Sequence, residues 1–236
     1  MHPHKYAVIL AGGNGSRAGG EMPKQFVELL GIPILWWSVR AFHAADPDTH
    51  IVIVMNPSFW DDWDIIYSEL PEEDRLIPLQ LFCGGRSRTE SVWNGIMDLP
   101  HDADTLIAVH DAARPLITKE MVAGLWKTAE DKGSAVPCVE EVNSLRVKDD
   151  GDTRPVDRAD YLVVQTPQVF RADILHEAYV KRNPEAKFTD DASLVQQAGY
   201  DITVAPGIPD NIKVTNPMDF AVAEAVMRYQ TDKKRD

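Results

Sequence analysis

Cysteine is scarce: Cys83 and Cys138 are the only two in 236 residues, too few and too far apart for a disulfide framework. That scarcity fits a reducing compartment. Long apolar runs are missing as well. The opening Met-His-Pro-His-Lys leads into five apolar residues, Tyr6 to Leu10, too short for a signal-peptide core or a membrane span. A cytoplasmic protein that meets no membrane is the expectation. Basic charge is in deficit, with 24 Lys and Arg against 37 Asp and Glu and a formal net charge of −13. No global positive field therefore draws nucleic acid. An anionic substrate would have to meet cations gathered locally in one cleft. Internal repeats, low-complexity tracts and interdomain linkers are also lacking, so residues 1–236 read as a single domain with room for a sizeable core.

What the chain does have is alternation. Ala7–Leu10, Ile51–Met55, Leu79–Phe82, Leu106–Val109 and Ala135–Val139 are short apolar runs bounded by polar or turn residues, as buried parallel strands are. Amphipathic stretches separate them: Pro33–Ala44, Ser58–Glu69, Arg88–Asp98 and Lys119–Lys132. Thr118 reads as the N-cap of the last, and Pro33 suits the first turn of the first. The pattern predicts an α/β fold, a Rossmann-like, mostly parallel sheet with helices on both faces. Further helices are expected near Ala172–Lys181, Asp190–Ala198 and Pro217–Tyr229, with a strand near Ile202–Ala205. Residues 140–165 interrupt this rhythm. Val142, Leu145 and Val147 precede Asp149-Asp150-Gly151, a hairpin-forming turn, and the extended run Tyr161–Val164 follows it. A projecting β-hairpin arm is predicted there, either a dimerisation or lid arm or a surface hairpin without a role.

The chemistry concentrates after the first strand, in Leu10-Ala11-Gly12-Gly13-Asn14-Gly15-Ser16-Arg17 and then Pro23-Lys24-Gln25-Phe26. Glycines without a Cβ let backbone N–H groups close on a phosphate, and in such sheets ligands bind beyond the carboxyl ends of the strands. Gly13 to Ala18 formally satisfies a dinucleotide fingerprint, which would make the chain a nicotinamide enzyme. The acidic residue that fingerprint needs after the second strand is absent, since that strand ends Met55-Asn56-Pro57. A P-loop is excluded too, because no G-x-x-x-x-G-K-[ST] is present. Arg17 and Lys24, two cations beside the cradle, point instead to chemistry on a polyphosphate.

Four more segments accompany the loop: Gly84-Gly85-Arg86-Ser87-Arg88-Thr89-Glu90-Ser91-Val92, His110-Asp111-Ala112-Ala113-Arg114-Pro115, Thr166-Pro167-Gln168 and Asn211-Ile212-Lys213-Val214-Thr215. Together, from Tyr6 to about Tyr229, they resemble the cytidylyltransferase branch of the nucleotidyltransferases, and within it the 2-C-methyl-D-erythritol 4-phosphate cytidylyltransferases of the non-mevalonate isoprenoid pathway. The resemblance implies a homodimeric, Mg²⁺-dependent nucleotidyltransferase whose substrates are CTP and methylerythritol phosphate. It assigns Ala11, Gly12, Gly13, Gly15, Gly85, Ser91, Asp111 and Ala112 to CTP. Arg17 and Lys24 would stabilise the transition state; Arg158 and Lys213 would position the methylerythritol phosphate and count with them as catalytic. Asp111, Arg114, Ser144 and Thr166 would also contact that substrate, Asp111 helping to hold the metal. If the family's dimer forms through the arm, Arg158 and Ser144 reach the neighbouring subunit's site.

The residues themselves leave other roles open. Asp111 follows a buried strand, where it can accept substrate hydroxyls, touch a metal or simply cap a turn. His110 reads as a structural hydrogen-bonding residue, because a phosphate monoester with a second pKa of about 6 needs no base at neutral pH. Thr189-Asp190-Asp191-Ala192-Ser193 reads as a helix cap rather than a metal pair, and Trp36-Trp37 as core or interface. Two positions depart from the family: Arg86 stands where an acidic residue is usual, and Asn143 where Asp precedes the hydroxyl residue, here Ser144. A ribitol-5-phosphate cytidylyltransferase shares the glycine loop and Pro-Lys-Gln, although Ala113 favours the isoprenoid enzyme. A non-catalytic nucleotide-binding regulatory module would keep the cradle without the cations.

Overall fold

Val8, Ile9, Val52, Ile53, Ile107 and Ala108 carry no polar alternation because the strands they build are covered on both faces. The structure is a computed structural model describing residues 3–13, 23–183 and 186–233. Strand β1 (His4–Leu10) enters the fold first. A small antiparallel pair, β2 (Glu28–Leu29) and β3 (Ile32–Pro33), leads into helix α1 (Ile34–Ala45). Then come β4 (His50–Met55), α2 (Trp60–Glu69), α3 (Glu72–Arg75), β5 (Leu79–Cys83), α4 (Arg88–Ile96), β6 (Thr105–Asp111) and α5 (Lys119–Lys132). The second half runs β7 (Ser134–Glu140), β8 (Leu145–Asp149), β9 (Asp152–Val156), β10 (Leu162–Val164), β11 (Gln168–Arg171), α6 (Ala172–Lys181), α7 (Asp191–Gln197), β12 (Val204–Pro206) and α8 (Pro217–Lys233).

The main sheet has the order β5-β4-β1-β6-β11-β7, with β10 and β12 also pairing to β7. β5, β4, β1 and β6 are parallel neighbours, β12 is parallel to β7, and β10 and β11 run antiparallel. Alternate residues of each strand divide between two cores. Ala7, Ile9, Ile51, Ile53 and Leu106 pack with α1, α2 and α5 through Trp36, Phe42, Trp63 and Trp126. Val8, Val52, Val54, Ile107 and Val109 face α4, α6 and α7 through Val92, Ile96, Leu175, Tyr179 and Val195. Helices thus cover both faces, as the alternation predicted, and Trp36 belongs to the core.

Local signals fix several helix ends. Thr118 Oγ1 accepts the Met121 N–H at 3.2 Å, and Gly133 at φ 85° closes α5 in the left-handed region. Pro33 stands at the N-cap of α1, one residue ahead of the first turn where its ring was expected. The arm is narrower than residues 140–165. β8 and β9 pair from Leu145↔Val156 to Asp149↔Asp152 around Asp150 and Gly151, both at positive φ. Tyr161–Val164 does not return along the hairpin. β11 pairs with β7 only at Ser134 and Ala135, which leaves the far end of β7 open, and β10 fills it at Cys138–Glu140.

Helix α4 lies so close to the sheet that a Cβ at Gly95 would sit 2.7 Å from Val54 Cγ2 and 2.8 Å from Val8 Cγ1. Gly95→Ala should gain about 1 kcal/mol of helix propensity but force two β-branched residues of buried strands apart, at about 1–3 kcal/mol. A lower urea midpoint than wild type is the expected result; an unchanged or higher one would mean that α4 lifts off freely.

Candidate functional site

The cleft opens at the carboxyl ends of the parallel strands, with a volume of about 270 Å³. Leu10 to Gly13 line it at the end of β1, Gly85 to Arg88 and Ser91 after β5, and Asp111 to Ala113 at the end of β6; Lys24, Gln25 and Lys213 complete the wall. Ala11, Gly12, Gly13, Lys24, Gly85, Ser91, Asp111, Ala112 and Lys213, all singled out from the sequence, are therefore brought together. Gly15 and Arg17 lie outside the described residues. Arg114, Ser144, Arg158 and Thr166 do not line the cleft.

Short backbone ties hold these loops to the sheet. The Ala11 N–H reaches Val54 O at 2.8 Å, Ala112 N–H reaches Leu10 O at 3.1 Å, and Gly84 N–H reaches Met55 O at 2.7 Å. A Cβ on Gly12 or Gly13 would come no nearer than 3.7 Å to Ser91 Oγ and 3.9 Å to Lys24 Cε. The described residues leave room at both, so the bare backbone serves the cleft. Gly85 differs: its Cβ would lie 2.4 Å from Glu90 Cγ and 2.8 Å from the Glu90 backbone carbon. Its N–H donates to Ser91 Oγ at 2.9 Å, and Ser91 donates on to Ser87 O at 2.9 Å. Ser87 caps α4 through Glu90 N–H, while the Glu90 carboxylate accepts the Arg86 N–H at 2.8 Å. Gly85→Ala must open this loop, so affinity for CTP, the ligand that the resemblance implies, should fall about tenfold, or about 1.4 kcal/mol, while the melting temperature changes little, because the loop sits outside both cores. Isothermal titration beside a thermal melt checks this; unchanged CTP affinity would exclude the Gly85 loop from the nucleotide site.

Asp111 holds the centre of the charge arrangement. Its Oδ1 meets Arg88 Nε at 3.2 Å and its Oδ2 meets Lys213 Nζ at 2.5 Å, with the side chain 13% exposed. Burial alone would raise this carboxyl, but Arg88 and then Lys213 outweigh it and hold it well below the usual carboxylate range. Lys24 approaches the same strap, donating to Val214 O at 3.2 Å. That strap, residues 211–215, is fastened by Val214 N–H to Ala113 O at 2.8 Å and by Arg114 Nη1 to Asn211 O at 2.8 Å.

Behind the cleft, His110 is fully buried. Its Nε2 lies 3.1 Å from Ser38 Oγ and 3.3 Å from Arg114 O. A carbonyl only accepts, so Nε2 carries the proton and Nδ1 is left to accept from Thr166 Oγ1 at 3.1 Å. The Thr166 oxygen in turn accepts the Asp111 N–H at 3.1 Å. Burial pushes the imidazole down to about 3, so it stays neutral, the structural part its sequence position suggested. Arg114 and Thr166 were expected against the substrate. Here Arg114 Nη1 engages the Asn211 carbonyl and the Thr166 hydroxyl oxygen accepts the Asp111 amide. Ser144 is exposed beside the arm, and Arg158 Nη1 donates to Val142 O at 2.5 Å.

Sequence reasoning gave no role to Arg88, which bridges Asp111 and, through Nη2 at 2.8 Å, the Asp191 Oδ2. A signal was present: Arg88 is the first residue of α4, where the helix dipole disfavours a cation unless an anion faces it. Asp190 caps α7 by accepting the Ser193 N–H, as read, whereas Asp191 turns inward. Among the described residues, no group of three or more His, Cys, Asp and Glu could hold a metal, and Asp111 is the one carboxylate lining the cleft.

A family model for 2-C-methyl-D-erythritol 4-phosphate cytidylyltransferase (IspD) matches residues 6–229. A relative of that name from Phocaeicola vulgatus is 36% identical over 227 residues, covering 95% of this chain and all of its own length. A chloroplastic one from Oryza sativa is 34% identical over 224 residues, 93% of this chain and 73% of its own. Among solved structures, the Thermus thermophilus cytidylyltransferase of the same name superposes with a TM-score of 0.74 at 29% identity, covering 97% of this chain and all of that one.

Proposed function

The chain belongs to the 2-C-methyl-D-erythritol 4-phosphate cytidylyltransferase family, and from that premise we propose how its own residues transfer CMP from CTP to methylerythritol phosphate in isoprenoid precursor synthesis. The observation that carries the assignment of roles is one cleft joining glycine backbone, Lys24, Lys213 and Asp111 in an otherwise acidic protein.

A phosphate oxygen of methylerythritol 4-phosphate attacks the α-phosphorus of CTP. The new P–O bond forms as the α–β bridge breaks, and pyrophosphate leaves with the electron pair. The nucleophile is largely dianionic at neutral pH, so the protein's task is to hold two repelling anions in line and to meet charge as it develops. Residues 11–13 and the Gly85–Ser91 loop cradle CTP. Lys24, with Arg17 by resemblance, meets the α-phosphate and the leaving group. Lys213 leaves Asp111 for the incoming phosphate, and the freed Asp111 oxygen accepts a substrate hydroxyl. Arg114, Thr166 and His110 hold these groups from behind.

Asp111 also suits Mg²⁺, which typically takes one or two carboxylates and completes its shell with phosphates and water. When bound, the ion would screen the triphosphate. The two free cysteines support a cytoplasmic setting, and no described helix is long and apolar enough to cross a membrane. A homodimer through the arm is supported by Val142, Tyr161, Leu162, Val163 and Val164, all at least 40% exposed beside it. Arg158 and Ser144 would then serve the neighbouring subunit's substrate.

CTP-dependent pyrophosphate release, measured with methylerythritol 4-phosphate and ribitol 5-phosphate in parallel and with or without a chelator, tests the reading. Release with the first substrate, abolished by chelation, is expected. Preference for ribitol phosphate would reassign the substrate, and no release with either would leave a binding module.

A further inference from the structure

We propose that Arg88 is a positioning residue for CMP transfer, acting through Asp111, and that buried Asp191 with Tyr179 is the anchor that aims it. Four charges alternate in a line: Asp191 to Arg88 at 2.8 Å, Arg88 to Asp111 at 3.2 Å, and Asp111 to Lys213 at 2.5 Å. The inner end is rigid. Asp191 is fully buried; its Oδ1 accepts the Tyr179 hydroxyl at 2.6 Å, and its N–H donates to Gln168 Oε1 at 3.1 Å. The outer end is free to move, because the Lys213 side chain is 42% exposed and faces the cleft. Between them lies a planar guanidinium whose Nε donates to Asp111 Oδ1 and whose Nη2 is drawn by charge to Asp191 Oδ2, so the position of Asp191 biases where Asp111 Oδ1 is held.

A buried ion network of this kind gives little stability over apolar packing of the same volume, so its place beside the cleft asks for a functional account. The account rests on the reading of Asp111 and Lys213 given above. When the substrate phosphate takes Lys213, Asp111 loses its nearer cation. Arg88 keeps Oδ1 engaged, which presents Oδ2 to a substrate hydroxyl in one orientation. Asp191 prevents Arg88 from following Asp111 into the cleft.

The test is a cycle of Asp191→Asn, Asp111→Asn and the double variant, with KM and kcat measured for each substrate. Asp191→Asn should lower kcat/KM for methylerythritol phosphate about tenfold, as expected for a weakened charge-assisted contact, while the KM for CTP stays within about twofold. In the Asp111→Asn background the same change should cost almost nothing, because both act through one group. Equal losses in both backgrounds, or equal losses toward both substrates, would overturn the positioning role and leave a structural one. An Asp111→Asn variant with unchanged kinetics would overturn the reading of Asp111 itself, a separate outcome. Tyr179→Phe keeps every charge and should shift the same parameter in the same direction by a smaller factor. It carries the cycle if Asp191→Asn does not fold, and a loss confined to CTP there would likewise overturn the proposal.

Discussion

Lys24→Ala should lower kcat by about 100- to 1,000-fold, the range for losing one preorganised donor to a developing oxyanion, while CTP affinity falls less than tenfold. In the proposed arrangement several groups share the ground-state triphosphate, the bare backbone at Gly12 and Gly13 and the Gly85 loop. Charge that appears only as the α–β bridge breaks needs a cation placed for that moment. Lys24 is placed by local structure, at the start of a single 3₁₀ turn, Lys24–Phe26, whose Gln25 and Phe26 are buried. Its amine is steadied by the Val214 carbonyl on the same strap that carries Lys213. Pre-steady-state pyrophosphate release together with equilibrium CTP binding separates the two effects. Equal losses in kcat and binding would mean that Lys24 binds the ground state alone.

What the sequence disclosed and what it hid divide along the range of the forces involved. Strand runs such as Ile51–Met55, the Thr118 and Asp190 caps and the Asp150-Gly151 turn depend on neighbours within a few residues, and each lies where its pattern placed it. Tyr161–Val164 was legible as extended but not as the partner of β7, because that pairing depends on how far β11 covers the edge of β7. Motif membership drew attention to Arg114 and Thr166 but could not show that they tie the Asn211 carbonyl, the Asp111 amide and His110 together. Arg88 carried no role until Asp191, far along the chain, was seen against it. The glycines of the two loops read alike, yet among the described ones Gly85 is the one whose Cβ would come within 3 Å of the protein's own atoms.

His110 supplies the other large effect, on stability against pH. Its ordinary pKa is about 6.5, and burial lowers it to about 3 in the folded protein. Between those values the unfolded chain binds a proton that the folded one refuses, so stability falls as pH drops from about 6.5 toward 3. The slope approaches about 1.4 kcal/mol per pH unit for a full proton, which makes the total loss roughly 5 kcal/mol, a large share of a typical domain's stability. Asp111 adds to the same trend at lower pH, since its depressed pKa contributes stability above the ordinary carboxylate value that is lost as the pH falls through its folded one. His110→Gln separates the two. It should cost about 1–3 kcal/mol at pH 7, because Thr166 loses its Nδ1 acceptor and the Asp111 amide its fixed partner. Between pH 6.5 and 4, however, the variant should lose stability more gently than wild type, by nearly one proton's slope. Urea denaturation at half-unit pH steps measures this directly. Parallel curves for the two proteins would mean that His110 titrates in the folded state near its ordinary value, and that the neutral Nε2–H tautomer linking Arg114, Thr166 and Asp111 is not what holds the back of the cleft.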